Sequence, residues 1–162
     1  MASIEIRPAK RSDIPAIFRV RTSVVVNLLT EAEMETIGIT RQSVERMLEA
    51  GEANAWCVDV GSEVVGFSLA FRNEREISAL FVLPDYERRG FGSALLDEAV
   101  AWLEGHNSEP IRLVTDRETP AYRFYEGTVR AHPLQKSGHI LYTFSFPVIL
   151  PVCRSIRPRI VL

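Results

Sequence analysis

The sequence predicts one α+β domain with α/β character in its second half. Two observations carry this: runs rich in β-branched and aromatic residues alternate with segments of helical periodicity, and helices precede a hairpin that is followed by strand–helix–strand. The chain of 162 residues suits one domain of ordinary size. We assign the domain to residues 1–146. The tail, residues 147–162, fits an edge strand, a dimer arm or a disordered end equally well.

Composition limits the classes of function. Hydrophobic residues make up 46% and charged residues 25%, as in a globular protein. The formal net charge of −2 supplies no bulk field toward nucleic acid or an anionic membrane. Residues 1–20 lack the uninterrupted apolar core of a signal peptide. We therefore expect a cytoplasmic protein with no nucleic-acid partner and no membrane partner.

Cysteine and histidine usage points away from metal chemistry. Cys57 and Cys153 form no CxxC motif, which argues against a disulfide scaffold and a cysteine-based zinc site. Cys57 lies in an alternating apolar run and is predicted to be a core residue. His106, His132 and His139 are scattered, so no metal site is predicted.

The first third of the chain predicts a strand followed by two helices. The strand covers Ile4–Arg7, and a helix capped at Ser12-Asp13 keeps apolar spacing to Leu28 with a break near Thr22-Ser23. The acidic segment Glu31–Gly38 is predicted to be a loop. Thr40 caps a second helix that ends before Gly51.

The remaining elements follow from apolar runs and turn residues. Gly61-Ser62 predicts a tight hairpin, and the almost continuously apolar run Ile77–Leu83 predicts a central strand covered on both faces. Phe91 begins an amphipathic helix that Gly105 ends. The other predicted elements are strands at Ala55–Val60, Val64–Phe71, Ile111–Thr115, Val129–Leu134 and His139–Phe146, and a short helix at Pro120–Tyr125.

The most informative segment is the turn between the central strand and the amphipathic helix, Arg88-Arg89-Gly90-Phe91-Gly92-Ser93. Glycines allow close backbone approach, and free amides at a helix start together with two arginines favour a phosphate or pyrophosphate. The alternative is an ordinary turn into a surface helix. No lysine follows the glycines as a P-loop requires, and Leu95 stands where a dinucleotide fingerprint needs its third glycine.

This turn resembles that of the GNAT superfamily of N-acetyltransferases, whose acetyl-CoA turn reads [Q/R]xxGx[G/A]. Glu87 replaces the usual first residue, which removes a donor but leaves the backbone cradle. Ala121-Tyr122-Arg123-Phe124-Tyr125-Glu126 is similar to the family's A-x-x-F-Y-E segment. The resemblance spans Ile4 to Phe146 and implies a mixed, mostly antiparallel central sheet with flanking helices.

The resemblance implies a set of acetyl-CoA contacts. In the family, the backbone of the central strand pairs with pantetheine where this strand separates from its neighbour, which implies Leu80, Phe81 and Val82 here. The pyrophosphate would bind the turn, at Arg88, Arg89, Gly90, Phe91, Gly92 and Ser93. Glu118 replaces the family's frequent asparagine, so that further contact is not carried over.

The resemblance also implies two catalytic residues. Tyr125 aligns with the family's general acid, which protonates the leaving thiolate; the alternative is a structural tyrosine on an apolar helix face. Glu76 lies at the distance from the turn where one branch of the family has its general base; the alternative is a solvated charge ending a polar turn. Glu31, Glu33 and Glu35 either attract a cationic acceptor or form a solvated acidic surface.

Three functions remain open at this point. The first is an enzyme that transfers acetyl from acetyl-CoA to a primary amine of a small molecule or peptide, with no metal. The second is a catalytically silent acyl-CoA sensor or scaffold, which Glu87 and Glu118 leave room for. The third is an unrelated nucleotide-binding domain. Dimers are frequent in the family, so a homodimer is also an expectation.

Overall fold

The computed structural model describes residues 3–25, 28–107, 109, 111–113, 120–131 and 140–142. The strands are β1 (Ile4–Pro8), β2 (Ala53–Val60), β3 (Glu63–Phe71), β4 (Glu76–Val82), β5 (Ile111–Leu113) and β6 (Ile140–Tyr142). The helices are α1 (Ile14–Ser23), α2 (Glu31–Thr36), α3 (Arg41–Glu49), α4 (Phe91–Glu104) and α5 (Pro120–Ala131). Several sites of the sequence-based predictions lie outside the described residues: Glu118, His132, His139, Cys153 and the tail 147–162.

The strands form one sheet of six in the order in which they occur along the chain. Neighbours from β1 to β4 are antiparallel, while β4–β5 and β5–β6 are parallel. The first parallel pair spans the crossover through α4, as a strand–helix–strand unit requires. The predicted α+β class and mostly antiparallel sheet are confirmed.

Helices cover both faces of the sheet. On one face, Trp56 meets Trp102 of α4 edge-on with ring centroids 5.9 Å apart, and the Ser68 hydroxyl donates a hydrogen bond to the Leu95 carbonyl. On the other, the Arg21 guanidinium of α1 lies over the Phe81 ring. The sheet is therefore buried between layers, and its apolar residues form one continuous core.

Two predictions in the first third of the chain are corrected. The segment predicted to be an acidic loop contains α2, because Thr30 and Glu33 form a capping box: the Glu33 N–H donates to the Thr30 hydroxyl, and the Thr30 N–H donates to the Glu33 carboxylate. The predicted break near Thr22-Ser23 is where α1 ends, so Val25 and Leu28 fall outside the helix and are 83% and 58% exposed.

The second half follows the prediction more closely. The hairpin across Gly61-Ser62 is confirmed by the pairing of Val60 with Glu63. Helix α5 continues to Ala131, so the strand predicted at Val129–Leu134 is wrong over 129–131, and 132–134 lie outside the described residues. Cys57 is fully buried as predicted, and burial raises the pKa of its thiol to about 12. Within the described ranges, no helix is long and apolar enough to cross a bilayer.

Candidate functional site

Within the part of the chain that the structure describes, β4 has an open edge over its second half. It pairs with β3 from Glu76 to Val82, but with β5 only at Glu76 and Ile77. Among the residues that the structure describes, none pairs with Leu80–Val82 on the β5 side. Backbone N–H and C=O groups on an open edge can pair with an added strand or an extended ligand.

A β-bulge in β4 changes which face Glu76 occupies. Leu69 pairs with Ala79 and the next residue, Ala70, pairs with Ile77, so Ser78 is the extra residue of the bulge. Because side chains alternate along a strand, the bulge shifts Glu76 from the α4 face to the opposite face, across from Phe71. Bulges next to active sites commonly re-aim side chains in this way.

Glu76 itself is buried. Its exposed fraction is 5%, so the alternative of a solvated charge at the end of a turn is wrong. The neighbouring Arg75 is buried as well and donates hydrogen bonds to the carbonyls of Leu103 and Glu109, which holds this end of β4 against the end of α4. Glu76 stands about 13 Å along the strand from Leu80, at 3.3 Å per residue.

Strand β3 approaches the open half of β4 unusually closely at Gly66. A Cβ atom built on this glycine would lie 2.9 Å from the Phe81 carbonyl oxygen and 3.1 Å from a Val82 methyl group. Only glycine therefore allows β3 to pair with β4 here at the observed spacing. This close pairing fixes the backbone of Phe81 and Val82, two of the predicted pantetheine contacts.

The predicted anion-binding turn follows β4. Arg88 and Gly90 both adopt left-handed backbone conformations, with φ of 61° and 84°. Such strain in a non-glycine residue is found preferentially at functional sites. Arg88 and Arg89 are both exposed, but Arg89 also stacks over the Tyr86 ring at 5.1 Å and donates to the Asp85 carbonyl at 3.0 Å, so it braces the turn.

The turn leads directly into the N-terminus of α4. The Ala94 N–H donates to the Gly90 carbonyl at 3.1 Å, the first bond of the helix, so the amides of Phe91, Gly92 and Ser93 precede the intrahelical ladder. These amides and the positive end of the helix dipole make an anion site. A Cβ on Gly90 would meet no atom within 4 Å, so there is open space beside the turn. The buried Phe91 anchors the helix start in the core.

Helix α5 packs against this turn. A Cβ on Gly92 would lie 3.3 Å from the Phe124 ring, which shows how closely the ring covers the first turn of α4. Tyr125 follows Phe124, its ring centroid 5.1 Å away, and is 1% exposed. The structure thus brings the helix of Tyr125 beside the turn and places its side chain in the core.

A cavity of about 350 Å³ lies on the face of the sheet opposite α4. Ala79 of β4 belongs to its floor, and Leu28 and Ile37 are exposed residues of its wall. The described lining residues are Ile17, Phe18, Arg21, Leu28, Leu29, Met34, Ile37, Ile39, Val44, Ala55, Phe67, Leu69 and Ala79. Among these described residues the lining is apolar except for one cation, and the cavity shares β4 with the open edge.

That cation is Arg21, which the sequence analysis did not single out. It is 5% exposed, its guanidinium lies 4.6 Å from the centroid of the Phe81 ring, and burial lowers its pKa. A signal was present in the sequence: Arg21 continues the i, i+3, i+4, i+7 apolar stripe begun by Ile14, Ile17 and Phe18. A charged residue on the buried stripe of a helix merits attention as a site residue.

The acidic residues of α2 do not line the cavity. Glu31 forms an exposed ion pair with Arg41 at 2.7 Å, and Glu33 caps its own helix. This favours the solvated surface over attraction of a cationic acceptor. His106 is exposed, with Nδ1 2.6 Å from the Trp102 carbonyl oxygen. Within the described ranges, no group of three or more His, Cys, Asp or Glu residues is placed to hold a metal ion.

Comparison with known proteins identifies the family. The model of the acetyltransferase (GNAT) family matches residues 24–128, while no curated protein matches. A PaiA N-acetyltransferase from Thermoplasma acidophilum, solved with coenzyme A, is 19% identical with a TM-score of 0.65, over 77% of this chain and 87% of that one. The ribosomal-protein-S18-alanine N-acetyltransferase from Escherichia coli is 18% identical with a TM-score of 0.59, over 77% and 76%.

A third solved structure is AAC(6')-Iy with a bisubstrate analogue, CoA-S-monomethyl-acetylneamine. It is 14% identical with a TM-score of 0.58, over 87% of this chain and 97% of that one. At these identities the structural likenesses establish the fold. Because the family model covers well over half of the sequence, from before α2 to within α5, the chain belongs to the acetyltransferase (GNAT) family.

Proposed function

We propose that this protein transfers the acetyl group of acetyl-CoA to a primary amine by direct attack. The observation that carries the proposal is the open edge of β4 at Leu80–Val82, which runs into a turn ending in the free amides of α4. The open edge suits an extended amide-bearing arm such as pantetheine, and the free amides at the start of α4 suit the pyrophosphate of CoA. Two of the structural neighbours were solved with coenzyme A or a CoA conjugate, which supports this choice of ligand.

The binding residues divide into backbone and side-chain contacts. The backbone groups of Leu80, Phe81 and Val82 would pair with pantetheine, and the amides of residues 90–93 would bind the pyrophosphate. The exposed guanidinium of Arg88 adds charge, while Arg89 contributes mainly by holding the turn in shape. Glu87 is also exposed and lies outside this amide cradle.

The transfer step needs a neutral amine, a donor for the oxyanion and a proton for the departing sulfur. A β4 amide at Phe81 or Val82 would stabilise the oxyanion as the carbon–nitrogen bond forms and the carbon–sulfur bond breaks. Glu76 would accept the amine proton through water, because it stands about 13 Å from Leu80 along the strand. Tyr125 would supply the proton to the thiolate, so that the products are an N-acetylated amine and CoA.

A binding and turnover experiment tests the proposal. We expect calorimetry to detect acetyl-CoA binding and an amine panel to release free thiol. Binding with no thiol release from any amine would favour the sensor or scaffold function. Failure to bind acetyl-CoA at all would contradict both.

The turn has a matched pair of variants. Gly90→Val should weaken CoA binding by about tenfold or more, because a β-branched residue resists the left-handed conformation and its side chain would occupy the space beside the turn. Gly38→Val is the control: its φ of 80° and open surroundings are nearly the same, but it lies between α2 and α3. Equal CoA affinity of the two folded variants would contradict the assignment of the turn.

A further inference from the structure

The cavity beside β4 combines features that together describe one ligand. Its volume of about 350 Å³ is at the low end of the roughly 300–1,000 Å³ range of small-molecule pockets. Its walls are aliphatic and aromatic side chains of α1, the segment around α2, α3 and the sheet. An occupant therefore has a compact apolar body of about the size of a single amino acid.

The positively charged group in this cavity, the Arg21 guanidinium, has a defined position and orientation. The Arg21 guanidinium both lines the cavity and stacks on the Phe81 ring at 4.6 Å. An arginine stays protonated in proteins, so a positive charge sits against an apolar wall. Because the planar fork matches a carboxylate and its orientation is fixed by the ring, a carboxylate is the ligand group it suits best.

The position of the cavity relative to the transfer site links it to the acceptor. Ala79 forms part of the cavity floor. The ring on which Arg21 stacks belongs to Phe81, one of the residues that the proposed function assigns to pantetheine. The bulge at Ser78 turns Glu76 to this same face of the sheet. Acceptor, acetyl group and base would thus meet along one strand.

We infer that the acceptor is a small amino acid-like molecule, with an apolar body in the cavity and a carboxylate held by Arg21. The inference rests on the proposed function and names its substrate class. A cationic acceptor such as a polyamine is disfavoured, because a second positive charge would approach Arg21.

The test compares L-leucine with leucinamide, which keeps the body and amine but lacks the carboxylate, and with glycine, which lacks the body. We expect the parent protein loaded with CoA to bind leucine more tightly than either of the others. Calorimetry reads this without turnover. Tighter binding of leucinamide or glycine would overturn the inference whatever the enzyme activity.

Variants of Arg21 then test whether this residue binds the carboxylate of leucine. Arg21→Met should weaken leucine binding by about 10- to 100-fold, as expected for a lost hydrogen bond to a charged group, and should leave leucinamide binding nearly unchanged. Using the variant-to-parent ratio for each ligand cancels the different basicities of the two amines. The control is Arg19→Met on the same helix, where an exposed ion pair to Glu63 is lost. Equal losses for both ligands, or an equal effect of Arg19→Met, would overturn the inference.

Two outcomes separate this inference from the proposed function. If amines are acetylated but carboxylate-bearing ones show no preference and no dependence on Arg21, the function holds and the substrate class is wrong. If leucine binds through Arg21 but no amine releases thiol, the site is correct and the transfer function is wrong. Should Arg21→Met fail to fold, Arg21→Lys keeps the charge without the fork and should give an intermediate loss for leucine alone.

Discussion

Glu76 and Tyr125 are withdrawn from water, at 5% and 1% exposure, although both side chains are polar. Buried polar groups are expensive unless they are hydrogen-bonded, and a protein interior strengthens the bonds that they make. Glu76 owes its face to the bulge at Ser78, and Tyr125 owes its place to the packing of Phe124 on Gly92. The placement of each of these side chains therefore depends on backbone geometry or packing at other positions.

The two assigned proton-transfer roles predict opposite changes in a pH–rate profile. Glu76→Gln should remove the acidic limb and lower the rate at neutral pH, with partial recovery at high pH where more amine is neutral. Tyr125→Phe should remove the basic limb. Each loss should be about 10²–10⁴-fold in kcat, with CoA affinity little changed.

The matched control for these variants is Glu5→Gln, an exposed carboxylate on the far edge strand β1. Its profile should overlay that of the parent. A Glu76→Gln profile that does the same would transfer the base role to water or to amine already neutral in solution. An unchanged rate in Tyr125→Phe, with chemistry as the slow step, would leave this tyrosine a structural residue.

At the scale of elements, the site depends on the pairing of β3 with β4. Gly66 is opposite Val82 and Leu83 donates its N–H to the Val65 carbonyl at 2.8 Å, so β3 supports β4 up to the start of the turn. On the other side, β5 supports only the beginning of β4. Among the described residues, the second half of β4 is thus held by a strand on one side alone.

Gly66→Ala should therefore affect both stability and binding. The new methyl group would contact the Phe81 carbonyl oxygen at 2.9 Å, and overpacking of this kind costs about 1–3 kcal/mol in the free energy of unfolding. Urea unfolding measures that cost, and a parallel CoA titration should show weaker binding, because the Phe81 and Val82 backbone moves. Gly127→Ala in α5, where a Cβ meets no atom within 4 Å, should be neutral or stabilising. Similar behaviour of the two variants would contradict this account of β4.

At the scale of the whole molecule, one ionic cluster joins the N-terminal strand β1 to β2 and to the start of α1. Arg7 of β1 donates hydrogen bonds to Asp13 and Asp59, each at 2.7 Å, and the Lys10 N–H donates to Asp13 at 2.6 Å. The bond from Arg7 is the main reason why the pKa of Asp13 is lowered. Since the pKa is lowered in the folded state, this stabilisation is complete above the unfolded value of about 3.9 and is lost as pH falls through the folded pKa.

Asp13→Asn should accordingly lose about 1.5–3 kcal/mol in the free energy of unfolding at pH 7, the range for a hydrogen bond to a charged group. The difference from the parent should narrow as the pH is lowered below about 4. Urea unfolding from pH 7 to pH 3 measures it. Glu31→Gln, which breaks an exposed ion pair with Arg41, should stay within about 0.5 kcal/mol throughout. A difference for Asp13→Asn that does not change with pH would contradict the linkage.

The sequence by itself determined the local elements and the turn. The apolar run of β4, the hairpin at Gly61-Ser62 and the glycines after Arg89 are signals contained within a few residues, because hydrophobic period and turn chemistry act locally. The resemblance to the family also rested on short motifs, and the family match bears it out. The signal for the missed helix α2 was equally local, because the Thr30 and Glu33 of its capping box are three residues apart in the sequence.

Only the tertiary structure decided which side chains meet. The bulge at Ser78 is invisible in an apolar run, because register is set by the partner strand, and it decides the face of Glu76. The stacking of Arg21 on Phe81 joins residues sixty positions apart, and the cavity brings residues of three helices, α1, α2 and α3, together with residues of the sheet. Such contacts follow from how whole elements pack, so the apolar cavity and its arginine emerged from the fold, whereas the glycine-containing turn after β4 was already present in the sequence.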